Sequence, residues 1–176
     1  MNGTLPARWN HGAASCGTNT DPALQVHAFS EDTYILRQNK CHNYEAPFLY
    51  LLLGRVKALL VDTGADPGPG RDLPLRAVVH AIIERHEERH HLNAIELVVA
   101  HSHAHGDHAH GDEQFTGQPR TTVVSGPRGI RDFFGFTQWP NQQVSFDLGE
   151  RRLTVLAIPG HEPTHLAFHD PRTGSC

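Results

Sequence analysis

A chain of 176 residues with a 38% apolar share is most simply one domain with enough apolar surface for a core. Its formal net charge of −4 argues against a nucleic-acid partner, which needs a basic face, and no run approaches the roughly 18 apolar residues of a membrane span. Residues 1–20 lack the apolar stretch of a signal peptide, and the three cysteines, Cys16, Cys41 and Cys176, form an odd, widely separated set that suits a reducing compartment, so the expected location is cytoplasmic.

Residues 1–22, rich in Gly, Asn, Thr, Ser and Pro, read as a loose lead-in, leaving 23–176 as the domain. Segments 24–29 and 33–37 read as short strands joined by the turn Ser30-Glu31-Asp32. Two apolar runs follow, 46–53 and 56–61, with Gly54-Arg55 between them as a hairpin signal. The second run delivers Asp62-Thr63-Gly64, a sharp turn, and then the loop Asp66-Pro67-Gly68-Pro69-Gly70. Asp62 reads either as a turn former bonded to its own backbone or as a carboxylate that orients a metal ligand.

Leu75, Val78, Val79, Ile82 and Ile83 make the apolar stripe of an amphipathic helix running to about Arg89, with Asp72 as N-cap and Pro74 in the first turn. Glu84, Arg85, Glu87, Glu88 and Arg89 form its solvated face. His86, His90 and His91 fall with them and read as surface histidines near a helix C-terminus, with an accessory metal site as the alternative.

The run Ile95-Glu96-Leu97-Val98-Val99-Ala100 reads as a buried strand, and it opens directly into His101-Ser102-His103-Ala104-His105-Gly106-Asp107-His108-Ala109-His110-Gly111. Five histidines and a carboxylate within ten residues form a set of nitrogen and oxygen ligands suited to Zn²⁺ and related divalent metals. His103 and His105 are two apart and face one side of an extended segment. Asp107 and His108 are adjacent and should point apart, one of them towards a second centre. Two neighbouring metals are the natural reading, against a solvated His-rich tract that binds metals opportunistically.

Beyond the loop, 110–115 begins a short helix, 121–125 a strand and 126–134 another short helix. Phe133, Phe134, Phe136 and Trp139 read either as core or as a lip over a pocket. Segments 143–146, 153–158 and 166–169 read as strands, and 170–174 has the composition of a hairpin turn. No strand follows that turn, so the sequence reads as an incomplete domain.

Three stretches together resemble the metallo-β-lactamase superfamily. Residues 102–111 are similar to its Thr-His-x-His-x-Asp-His-x-Gly-Gly signature, with Ser102 in place of Thr and His110 in place of the first Gly. Ala58-Leu59-Leu60-Val61-Asp62-Thr63-Gly64 resembles its early strand ending in Asp-Thr-Gly. Ile158-Pro159-Gly160-His161-Glu162-Pro163-Thr164-His165-Leu166 resembles its Pro-Gly-His-x-x-x-His segment.

The resemblance implies an α+β fold, the family's αββα sandwich, with only the first sheet and part of the second present. It implies His103, His105 and His161 as a complete first-metal set, and Asp107 and His108 as ligands of a second metal. Asp107 is also the implied proton acceptor, Asp62 orients a ligand, and His165 contacts substrate. The family's next strand carries a Gly-Asp that bridges two metals, and a last histidine lies further on; neither position exists here, so one metal is expected more than two. Zn²⁺ is the expected cofactor, with iron as the alternative. The expected function is hydrolysis of a small ester, thioester, lactone or amide by a metal-bound hydroxide. The alternatives are a non-catalytic, truncated metal-binding remnant and a mononuclear iron enzyme of the persulfide-dioxygenase kind. The expected partners are a small-molecule substrate and, through an exposed sheet edge, a second copy of the chain.

Overall fold

The structure is a computed structural model that describes Trp9 and residues 15–174. Six strands form one sheet in sequential order: β1 (Leu24–Ser30), β2 (Thr33–Gln38), β3 (Phe48–Leu53), β4 (Lys57–Val61), β5 (Glu96–Ala100) and β6 (Thr121–Val123). The first four are antiparallel neighbours; β4, β5 and β6 run parallel. A second, three-stranded antiparallel sheet holds β7 (Gln143–Asp147), β8 (Arg152–Ala157) and β9 (Leu166–His169). Helix α1 (Leu75–His90) makes the β4–β5 crossover, α2 (Gly106–Ala109) follows β5, and α3 (Gly126–Phe134) follows β6. The expected strands and helices are present, with ends shifted by a few residues.

The central strands are apolar on both faces, because each face meets a different layer. Leu49, Leu51, Leu53, Ala58, Leu60, Leu97 and Val99 pack with Leu75, Val79, Ile82 and Ile83 of α1. The alternate residues Leu52, Leu59, Val61, Val98 and Ala100 pack with Val144, Leu153, Val155, Leu166 and Phe168 of the second sheet. Phe134 and Phe136 are buried in this second cluster, so the aromatic group is chiefly core. Each fully buried Leu in such a layer is worth about 1.5–3 kcal/mol relative to exposure.

A buried arginine, paired within the second sheet, reaches across to the first. Arg151, at the start of β8, donates to Thr33 Oγ1 at 2.8 Å, to the carbonyls of Leu53 and Asp32, and to Asp170 Oδ2 at 2.5 Å. Arg151 and Asp170 are both essentially inaccessible to solvent. Asp170 thus does more than form a turn after β9. The expected turn after β9 is present at 171–174, and residues 175–176 lie outside the described residues.

Three expectations are corrected. Pro74, not Asp72, occupies the N-cap of α1, and no side chain caps it. His86 is not on the solvated face but 2% exposed, because it continues the stripe of Val79, Ile82 and Ile83 by one turn. Cys16 and Cys41 are not free thiols but a disulfide, with Cα atoms 5.3 Å apart. The lead-in turns back beside the loop after β2, which a separation of 25 residues does not announce. Asn39 Nδ2 donates to the carbonyls of Asp21 and Pro22 at 3.1 and 3.0 Å, holding the same return. Closing a loop of that length restricts the unfolded chain by roughly 3 kcal/mol. Residues 1–8 and 10–14 of the lead-in lie outside the described residues.

Candidate metal centre

Parallel pairing sets Val61 beside Ala100, so the loops that leave β4 and β5 emerge side by side. Asp62 takes a left-handed backbone (φ 68°), and its amide donates to the Ala100 carbonyl at 2.9 Å. The histidine loop folds back onto this turn: Thr63 N donates to His108 O at 2.7 Å and His110 N to Gly64 O at 3.1 Å. Gly111 lies so close that a Cβ there would sit 2.5 Å from the Thr63 carbonyl oxygen. From the second sheet, Leu166 N donates to Ser102 O at 2.7 Å, bringing the loop after β8 against the same point.

His103 is at the middle of the resulting group. Its ring centroid lies 4.8 Å from that of His105, 4.1 Å from His108, 5.0 Å from His161 and 4.9 Å from His165. His105 and His161 are 4.8 Å apart, ring to ring. One nitrogen from each of His103, His105 and His161 lies within 4.8 Å of the others, and so do ligand atoms of His103, Asp107 and His108. His103 is buried while His105 and His161 are exposed, so the group opens to solvent on one side. Three imidazole nitrogens with one open side match the donor set of a catalytic zinc position.

Asp107 and His108 do not point apart. His108 Nε2 is 3.1 Å from Asp107 Oδ2. The two residues lie in the helical turn of α2 rather than in extended chain, so adjacent side chains diverge by about 100° instead of 180°.

Asp62 organises the loop from below. Its Oδ1 accepts from Ser102 N at 2.7 Å, and its Oδ2 accepts from Ser102 Oγ at 3.0 Å and from His108 Nδ1 at 2.8 Å. This hydrogen bond raises the His108 imidazole above its ordinary pKa against the opposing effect of burial. Burial, with His108, His165 and His105 close by, pushes His103 the other way, so it stays neutral and free to ligate.

Two residues of this network carry no signal in the spacing of ligands. Ser102 links Asp62 to His103 and His108, at 3.1 and 3.2 Å from their Nδ1 atoms. Asp112 accepts from His101 Nε2 and Thr63 Oγ1, each at 2.8 Å. His101 is therefore a buried brace outside the ligand group. His110 is half exposed, 3.7 Å from Asp66.

His165 borders a cavity of about 250 Å³ between the sheets, lined mostly by apolar side chains including Tyr50, Leu52, Ile158 and Phe168, with Asp62 and Ser102 at its polar end.

A family model described as the metallo-beta-lactamase superfamily matches residues 46–175. No curated protein matches the chain. Among solved structures, a metallo-beta-lactamase from Pontibacter korlensis is similar with a TM-score of 0.52 at 17% identity, over 85% of this chain and 67% of that one. A flavo di-iron protein variant from Thermotoga maritima is similar with a TM-score of 0.56 at 13% identity, over 87% of this chain and 41% of that one. The chain thus spans between 41% and 67% of the length of these two structures. With three motifs in order, two facing sheets and a family match over most of its length, this chain belongs to the metallo-beta-lactamase superfamily.

Proposed function

We propose that this chain is a zinc-dependent hydrolase of a small ester, thioester, lactone or amide, with the metal held by His103, His105 and His161. The observation that carries this reading is the convergence of those three nitrogens from two sheets on one solvent-open point. Zinc bound there would supply a hydroxide nucleophile near neutral pH and polarise a carbonyl. Asp107 is the proton acceptor, with His108 3.1 Å away to share the proton's charge. Asp62 fixes the His108 tautomer by holding Nδ1–H, leaving Nε2 towards Asp107. His165 and the apolar cavity beside it receive the substrate's acyl portion.

The test is turnover of a panel of small esters, thioesters, lactones and amides by zinc-loaded protein. Activity should vanish on replacing His103, His105 or His161 by Ala and fall about 10²–10⁴-fold for Asp107→Asn. Undiminished turnover in His103→Ala would overturn the assignment. A second reading, a mononuclear iron enzyme of the persulfide-dioxygenase kind at the same residues, is supported by the suitability of imidazole ligands for iron as well as zinc. Oxygen consumption by iron-loaded protein without hydrolysis by the zinc form would favour it.

No described helix is long and apolar enough to cross a membrane. The Cys16–Cys41 disulfide favours an oxidising compartment and removes the cysteine argument for the cytoplasm. Strand β9 pairs only with β8 among the described residues, and we place a second copy of the chain on that edge as the means of covering it. We take residues 23–176 as the domain, with the disulfide fastening the lead-in to it.

A further inference from the structure

The opposite end of the larger sheet holds a second histidine group. His86 and His90 stand four apart on α1 and so share one helix face, with ring centroids 4.6 Å apart. They face the turn between β1 and β2, where Glu31 and Asp32 lie. Asp32 Oδ1 is 3.5 Å from His86 Nδ1 and 3.8 Å from His90 Nε2. Glu31 Oε1 is 3.5 Å from the same His90 nitrogen. Four guanidinium groups border the cluster: Arg172 lies 3.9 Å from Asp32 Oδ2, Arg89 lies 3.5 Å from Glu31 Oε1, Arg151 donates to the Asp32 carbonyl, and Arg55 acts on His86 through its charge.

His86 Nε2 is 3.0 Å from the Gly54 carbonyl, which can only accept, so the ring hydrogen is on Nε2 and Nδ1 presents its lone pair. Among the described residues, His86 Nδ1, His90 Nε2 and Asp32 Oδ1 are all buried with no hydrogen-bond partner. The His86 side chain is only 2% exposed. A buried polar atom left in that state is destabilising. A proton can bridge only one pair of the three atoms. One cation satisfies all three at once.

The distances suit that cation. Ligands held tetrahedrally at about 2.0–2.1 Å from zinc stand roughly 3.4 Å apart, and these atoms all lie within 4.8 Å of one another. A metal-bound histidine usually donates its other N–H to a carbonyl or carboxylate, as His86 does to Gly54. We propose that Asp32, His86 and His90 form a structural zinc site that fastens the last turn of α1 to the β1–β2 turn. Two imidazoles and one carboxylate converge as ligands, and the Glu31 carboxylate, 3.5 Å from His90 Nε2, is the neighbour that a turn of its side chain would bring to the fourth position that closes a structural zinc. The site shares no residue with the His103 group and does not depend on the function assigned to that group.

The His103→Ala/His105→Ala/His161→Ala variant of this chain isolates it. After chelation and reloading, this variant should retain about one zinc equivalent, and its cobalt form should show the visible bands of a four-coordinate site. Adding His90→Gln, which removes the ligand nitrogen from a side chain 16% exposed, should weaken zinc by more than roughly 100-fold, the upper limit for losing an outer partner alone. Zinc should raise the Tm of the first variant and not of the second. A folded triple variant that takes up no zinc, or an unchanged titration after His90→Gln, overturns the proposal. In the unaltered chain, zinc should shift the ring resonances of His86 and His90; rings that do not respond overturn it equally, whatever the variants do.

Discussion

His108 Nδ1 lies 2.8 Å from Asp62 Oδ2, across 46 residues of sequence. This bond ties the end of β4 to the loop after β5 and decides which nitrogen of His108 is left to act. Asp62→Asn keeps a side chain that tolerates the left-handed backbone but removes the charge. The fold should survive, and zinc affinity at the His103 group should fall about 10–100-fold. Isothermal titration of the variant with zinc checks this. Unchanged affinity would reduce Asp62 to a turn residue.

The same bond orders the histidines by pH. His108 is raised by Asp62, and His103 is lowered by burial and its neighbours. As pH falls, His108 protonates before His103. Metal held through Asp107 and His108 should therefore be lost at higher pH than metal held through His103. In the apo protein, NMR titration should find His108 charging above the ordinary histidine value of about 6.5 and His103 below it. The raised His108 also contributes stability that is complete below pH about 6.5 and is lost as pH rises through its folded value. The reverse titration order would refute the network around Asp62.

Most of this architecture is legible in the sequence, because apolar periodicity and turn residues report directly on local structure. The runs at 46–53 and 56–61 and the stripe from Leu75 to Ile83 lead to β3, β4 and α1. The ligand loop is legible because ligating side chains are chemically distinctive and crowd into 11 residues. What depends on long-range closure is not legible. Cys16 meets Cys41 only because the lead-in doubles back. Asp107 meets His108 because four residues after His105 coil into a helical turn too short for periodicity to reveal. His86 was within reach: it stands four residues beyond Ile82 and seven beyond Val79, so extending the stripe by one turn buries it.

Arg151, held by Asp170, should add to the apolar packing that joins the sheets. Burial opposes the Asp170 carboxylate, but hydrogen bonds from Arg151, the Arg172 amide and Thr173 outweigh it and hold its pKa below the ordinary value. Arg151→Met strands that carboxylate in the interior and should cost about 3–5 kcal/mol. Asp170→Asn together with Arg151→Met should recover part of the loss. Because the folded pKa is depressed, the pair's contribution is present above the unfolded value of about 3.9 and is lost as pH falls through the folded one. Urea unfolding of both variants at neutral and acid pH measures each effect. An Arg151→Met chain as stable as the parent would show that the sheets are held by apolar packing alone.

Gly111 and Gly106 lie five residues apart in the histidine loop and should respond oppositely to alanine. A Cβ at position 111 would meet the Thr63 carbonyl oxygen at 2.5 Å and the Thr63 Cβ at 3.1 Å. Thr63 has little room to yield, since its amide is bonded to His108 O at 2.7 Å and its hydroxyl to Asp112 Oδ1 at 2.8 Å. Any movement of Thr63 pulls on Asp62 and through it on His108. Gly111→Ala should therefore cost about 1–3 kcal/mol, as overpacking does, and should weaken zinc binding as well. At Gly106 a Cβ meets nothing within 4 Å, and Gly106→Ala should change stability by no more than about 0.5 kcal/mol. Thermal unfolding with and without zinc compares the two. If Gly111→Ala matches the parent in both, the close approach of the two loops does not govern the geometry of the metal centre.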